Sequence, residues 1–149
     1  MAKLLADAPL AGERIMLSLM RIVVGLLYLQ HGTSKLLGFP VSRGGMPEPW
    51  SPPWFAGCIE LTGGILLVLG LLSRPAAFIC AGQLAVIYWF WNFPRDAMPY
   101  VNGGSVVIAY CFVFLMVFFA GPGPISLDAM IVRKDRQAPQ GAMAADTAD

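Results

Sequence analysis

Charge is scarce in this chain, and so are most of the residues that mark chemistry. Only 13% of its 149 residues are charged, against about 25% in an average globular protein. Ten lysines and arginines against nine acids leave a formal net charge of +1. That balance excludes the basic stripe on which a nucleic-acid partner would depend. A single histidine is present. The three cysteines, Cys58, Cys80 and Cys111, form no CxxC pair, so neither a zinc signature nor a disulfide framework is present. They read as small packing residues, with a redox pair of Cys58 and Cys111 as the alternative. No haem, flavin or iron–sulfur signature occurs, and no internal repeat supports an inverted-repeat transporter.

Apolar surface is what the chain has in excess. Hydrophobic residues make up 57% of it, more than a soluble domain of this length can hide. The expected fold class is all-α, an integral membrane four-helix bundle. A hydrocarbon core about 30 Å thick takes roughly 17–25 helical residues to cross. The stretches 15–37, 54–72, 76–93 and 104–120 qualify or nearly do. They define a domain over 15–130, after an N-terminal segment (1–14) and before a tail (131–149). The first stretch is too long for a signal peptide, carries Arg21 and lacks a small-x-small cleavage site, so it reads as a retained helix. "SRP" (73–75) reads as a tight turn, with Pro75 in the first turn of the third helix. The Pro- and Gly-rich segment 38–53 cannot be regular helix. After "GPGP" (121–124), Ser126 reads as an N-cap and Asp128 as a first-turn acid of a short interfacial helix. The end, "QAPQGAMAADTAD", is expected to be disordered.

An even number of spans puts both termini on one side. That side carries Lys3, Arg14, Arg74, Arg133, Lys134 and Arg136, against Arg43 and Arg95 plus Lys35 at a helix end. The positive-inside rule then places both termini in the cytoplasm. The four tryptophans (Trp50, Trp54, Trp89 and Trp91) fall near the opposite, outer ends, where such rings anchor at headgroup level.

An ionisable group inside a span is costly unless it snorkels, finds a partner or meets water. At about 100° per residue, Arg21, Tyr28, His31 and Lys35 share an arc of roughly 80° on the first helix, flanked by Gly25 and Gly32. Counting about 1.5 Å per residue puts His31, Glu60 and Tyr110 each roughly 9 Å below the outer boundary, with Lys35 nearby. Arg21 and Gln83 fall in a second layer nearer the cytoplasm. Gly57, Gly63 and Gly64 flank Glu60 on the second helix, and Ala77, Ala81 and Ala85 repeat at four-residue spacing on the third. Both are small-residue faces for close helix packing. Two readings stand for these residues. His31 and Glu60 form a binding or proton-relay site, or they form a neutralised pair that holds the helices in register. Arg21 and Lys35 lie close enough to the boundaries to snorkel, and Gln83 and Tyr110 also suit interhelical hydrogen bonding. No metal site is expected.

"RIVVGLLYLQHGTSKL" (21–36) resembles the first-helix signature of the DoxX family: an arginine, a glycine four on, then His-Gly-x-x-Lys-Leu. "ELTGGILLVLGLLSRPAA" (60–77) is similar to the family's second-helix pattern, and "GPGPISLD" (121–128) to its ending. The likeness spans about 14–130. It implies a small four-helix protein of the bacterial cytoplasmic membrane. Some relatives are subunits of an archaeal thiosulfate:quinone oxidoreductase. Others are scaffolds for redox partners, and more distant ones act as assembly chaperones or cargo receptors. No catalytic residue carries over from the family.

The residues and the resemblance together support three functions. The first is a membrane subunit or scaffold of a quinone- or sulfur/thiol-linked redox system. It has no intrinsic cofactor, a quinone as ligand and a redox protein or a second copy as partner. Here His31 donates to a quinone carbonyl, Glu60 orients it or relays the proton, and Lys35 or Arg21 stabilises a reduced ring. The second is a non-catalytic scaffold or assembly factor whose buried charges are structural. The third is a small-solute permease that works as an oligomer.

Overall fold

Residues 11–41 and 44–134 are described by a computed structural model. Helix α1 (Ala11–Leu36) contains no proline and stops before Gly38, where the backbone turns left-handed at φ +67°. Helix α2 (Pro52–Leu69) opens on two prolines after Ser51, where a missing N–H breaks no helical bond. It ends at Gly70, φ +68°, whose N–H reaches the Leu67 carbonyl at 3.2 Å while that of Leu71 reaches Leu66 at 3.0 Å. This pair of bonds is a Schellman cap.

Only residues 70–72 separate α2 from α3 (Ser73–Ile87). The "SRP" turn expected at 73–75 is therefore already helix, for a reason remote in sequence. The Asp128 carboxylate accepts the N–H groups of Leu72 and Ser73, both at 2.9 Å, and so supplies the cap and the negative charge that a helix start favours. Past Ile87 the helix widens into a π-helical turn, Tyr88–Asn92. Helix α4 (Gly104–Ala120) follows a loop in which the Asn102 Oδ1 accepts the Gly104 N–H at 2.7 Å. A last helix, α5 (127–134), has Ser126 at its start, its Oγ accepting the Ala129 N–H at 3.1 Å. Residues 11–14 thus belong to α1 and 131–134 to α5 rather than to the N-terminal segment and tail. The remainder of both, 1–10 and 135–149, lies outside the described residues.

The fold is all-helical, with no strand among the described residues. α1 packs mainly on α2 and α3 mainly on α4. The α2–α3 contact joins the two pairs, and α1 meets α4 only lightly. Polarity is inverted relative to a water-soluble protein. Arg21, Glu60, Ser18 and Ser73 are buried, beside a core rich in small residues such as Ala77, Cys80 and Ala81. Leu19, Val23, Phe78, Phe112, Met116 and Phe119 point outward. An apolar exterior this continuous marks contact with lipid or with other protein. α1 and α2 are long and apolar enough to cross a membrane.

Candidate functional site

The seam between α1 and α2 is built on glycine. A Cβ on Gly32 would lie 2.8 Å from the Leu61 Cα and 2.9 Å from the Glu60 carbonyl carbon. One on Gly64 would lie 2.8 Å from the Leu29 Cα. The two backbones therefore touch, as small residues allow. Gly25 and Gly57 face side chains along the same seam, while Gly63 faces Cys80 of α3.

That closeness lets Lys35, one turn beyond Gly32, reach α2. Its Nζ donates to Glu60 Oε1 at 2.6 Å. The same oxygen accepts from Gln83 Nε2 at 3.3 Å, and that amide also donates to the Ala56 carbonyl at 3.2 Å. The hydroxyl of Tyr28 donates to Gln83 Oε1. Lys35, Glu60, Gln83 and Tyr28 so form one chain of hydrogen bonds across α1, α2 and α3. The Glu60 side chain is only 4% exposed, against 34% for Lys35. A carboxylate this deep is tolerated only with a charged partner and further donors. Its second oxygen, Oε2, is buried with no partner among the described residues.

The arrangement differs from the His31–Glu60 pair that depth counting suggests. His31 is exposed; its Nδ1 donates to the Leu27 carbonyl at 2.8 Å, and its ring stands edge-on to Tyr110 with centroids 6.4 Å apart. Because Gly32 faces α2, its neighbour His31 is turned aside by about 100°, and only the long Lys35 stem bridges the gap. Tyr110 is half-buried and stacks on Phe114, with centroids 6.2 Å apart.

Gln83 and Arg21 do not share a layer. α3 starts earlier than expected, so Gln83 lies farther along it and joins Glu60. Arg21 lies at the other end, where its guanidinium donates to the carbonyls of Leu67, Val68, Pro122 and Ile125. The three cysteines are free, and the Cys111 thiol donates to the Ala81 carbonyl at 3.4 Å. No metal-binding cluster of His, Cys, Asp or Glu exists among the described residues.

Two cavities meet at Lys35 and Pro53. The outer one, about 950 Å³, lies between Gln30, His31, Ser34 and Lys35 of α1 and the loop residues Val41 and Pro47. The second, about 860 Å³, is a groove between α2 and α3. Phe55, Ala56 and Ile59 form one wall, and Phe78, Gly82 and Gln83 the other; Trp50, Trp91 and Arg95 stand near its mouth. Sequence reading missed this groove. Its only trace there is the four-residue spacing of Phe78, Gly82 and Val86, a stripe on α3 with a gap in the middle.

The burial asymmetry within the ion pair gives an expected result. Glu60→Gln leaves an ammonium that can turn toward solvent or headgroups. Lys35→Gln instead strands the buried carboxylate, at a cost of about 3–5 kcal/mol. In detergent, Lys35→Gln should lower the thermal unfolding midpoint clearly more than Glu60→Gln. The reverse order would contradict this account of the pair.

Comparison with known proteins places the chain among relatives. The DoxX family model matches residues 16–92. An uncharacterised protein of Haemophilus influenzae is 38% identical over 123 residues, covering 79% of this chain and 92% of the relative. Inner membrane protein YphA of Escherichia coli is 30% identical over 128 residues, covering 79% of this chain and 91% of that protein. Inner membrane protein YqjF of the same organism is 24% identical over 119 residues, with 76% and 90% coverage. No solved structure matches the chain.

Proposed function

The chain belongs to the DoxX family, and on that premise we propose that it is a multi-pass protein of the bacterial inner membrane. In this reading its four long helices form a transmembrane bundle with both termini in the cytoplasm. The protein serves as a membrane subunit or scaffold of a redox system and holds a quinone-like lipophile in the groove between α2 and α3. The names of YphA and YqjF and the outward-facing apolar side chains support the membrane location.

The observation that carries the ligand reading is the groove itself. Its volume of about 860 Å³ falls in the range of small-molecule sites, roughly 300–1,000 Å³. Phe55, Phe78 and Trp91 offer flat apolar surface to a ring, and Lys35 offers a polar contact. Both N–H donors of Gln83 are already committed to Ala56 and Glu60. An ammonium has three donors, and Lys35 gives one to Glu60, so it is Lys35 that meets a ligand carbonyl. Electrons would pass to or from a partner protein.

Gly82 provides the test. It lines the groove, and a Cβ there would have no neighbour within 4 Å. Gly82→Phe fills the groove without disturbing the core, and replacing a helical glycine by phenylalanine favours the helix by up to about 0.5 kcal/mol. Purified wild-type protein should retain a quinone detectable by mass spectrometry, and Gly82→Phe should lose it at unchanged folded yield. Wild-type protein without any retained or added quinone would sink the reading. One observation favours a non-catalytic scaffold instead: Arg21 is wholly engaged by main-chain carbonyls and Lys35 is paired with Glu60. On that reading Gly82→Phe leaves partner assembly and phenotype intact.

A further inference from the structure

We propose that the lipophile of this groove carries an ionised, anionic head, and that this head seats on Lys35 in competition with Glu60. The proposal rests on the groove being a lipophile site and is independent of any redox role.

The charges around the groove are unbalanced. Lys35 and Arg95 both line it, and no carboxylate does so among the described residues. Glu60 stands behind Lys35 as its counter-ion. The carboxylate of Asp96, next to Arg95, is turned to the Met98 N–H at 2.7 Å, and Glu48 is exposed in the first loop. Neither lines the groove. Two cations against one carboxylate leave one positive charge facing an apolar cleft. Arg95 is exposed, so water screens its charge, whereas Lys35 is half-buried beside the apolar lining, where the field is screened less; a single anion restores the balance.

Lys35 is placed to serve that anion. Its side chain is 34% exposed, and it lines the outer cavity as well as the groove. Two of its three N–H donors remain after the bond to Glu60. Glu60 is placed to release it, because Oε1 keeps the Gln83 amide at 3.3 Å when the ammonium swings away. The polar end of the ligand then lies at the junction of the two cavities, and its tail lies among Ile59, Phe78 and Val86.

The test uses two probes with the same ring and alkyl tail. One is a hydroxynaphthoquinone, ionised at neutral pH; the other is its uncharged methoxy counterpart. Binding is measured to the full-length protein in phosphatidylcholine nanodiscs, corrected against protein-free nanodiscs. Wild-type protein should bind the ionised probe at least about tenfold more tightly than the neutral one, a difference of about 1.4 kcal/mol. Glu60→Gln removes the competing carboxylate and should tighten the ionised probe further, leaving the neutral one unchanged. The double variant Lys35→Gln with Glu60→Gln strands no charge, so it folds, and it should bring the two probes to parity. Equal affinities in the wild type would overturn the proposal while leaving the groove reading intact. Discrimination that survives the double variant and disappears with Arg95→Gln would move the anion to the groove mouth and overturn the seat at Lys35. Binding of neither probe would overturn the groove reading and the proposal with it.

Discussion

Gly32→Ala, a change of one methyl group, should remove most of the folded protein. By helix propensity alone the substitution is favourable, since alanine stabilises a helix interior over glycine by roughly 0.5–1 kcal/mol. The seam reverses the sign. The added Cβ would meet the Leu61 N, lie 2.8 Å from the Leu61 Cα and 2.9 Å from the Glu60 carbonyl carbon. Those atoms are backbone of a neighbouring helix and cannot rotate away. α1 and α2 must then separate along their length, which also opens the contact of Gly64 with Leu29 and stretches the 2.6 Å bond from Lys35 to Glu60. Overpacking a tight contact costs about 1–3 kcal/mol where side chains can adjust, and more where only main chain is available. Gly82→Ala is the matched control: same helical context, no atom within 4 Å, and a small expected gain. Thermal unfolding in detergent and the monodisperse fraction on gel filtration measure both variants. A Gly32→Ala protein that melts with the wild type would disprove backbone contact at this seam.

The seam also shows what the sequence makes legible. A polar arc on the first helix, with glycines beside it and a glycine-flanked glutamate on the second, is readable from helical phase alone. Phase says which residues share a face, and small residues say where helices come close. Which partner completes the pair is not readable that way. His31 and Lys35 lie on one arc, and only side-chain length and the exact rotation set by Gly32 decide that Lys35 reaches Glu60. The depth of Gln83 is hidden for another reason. It follows from where α3 begins, and that is decided by the Asp128 carboxylate, remote in sequence, on Leu72 and Ser73. The groove is hidden most completely, because it is the space left between helices whose separation is set elsewhere, at the α1–α2 seam and in the α3–α4 pair.

Arg21 carries the other large effect, and it acts on the fold rather than on the groove. The residue is 1% exposed and its guanidinium faces main-chain carbonyls. Leu67 and Val68 supply carbonyls from the last turn of α2, where the helix runs out of its own donors; that of Leu67 also accepts the Gly70 cap N–H. Pro122 and Ile125 supply theirs from the strap that follows α4. The strap is tied at three further points. Ser18 Oγ accepts the Ile125 N–H at 3.2 Å, the Asp128 N–H donates to the Gly70 carbonyl at 2.9 Å, and the Asp128 carboxylate starts α3. Arg21→Met leaves the carbonyls of Val68, Pro122 and Ile125 facing an apolar side chain, while Leu67 keeps its cap bond, and an unsatisfied buried polar group costs about 1–3 kcal/mol. Even with partial relaxation, the sum takes a large share of an ordinary domain stability of about 5–15 kcal/mol. Arg21→Lys should recover little, because one ammonium cannot reproduce a planar fork that spans α2 and the strap. The expected result is a sharp fall in unfolding midpoint for both variants. Limited trypsin digestion at Arg133 and Lys134, at the exposed end of α5, should be faster than in the wild type, because α5 loosens before the rest of the chain. The fraction that still folds should hold a groove ligand as the wild type does, because Arg21 does not line the groove. Loss of ligand from that folded fraction would mean that Arg21 serves the site and not only the strap.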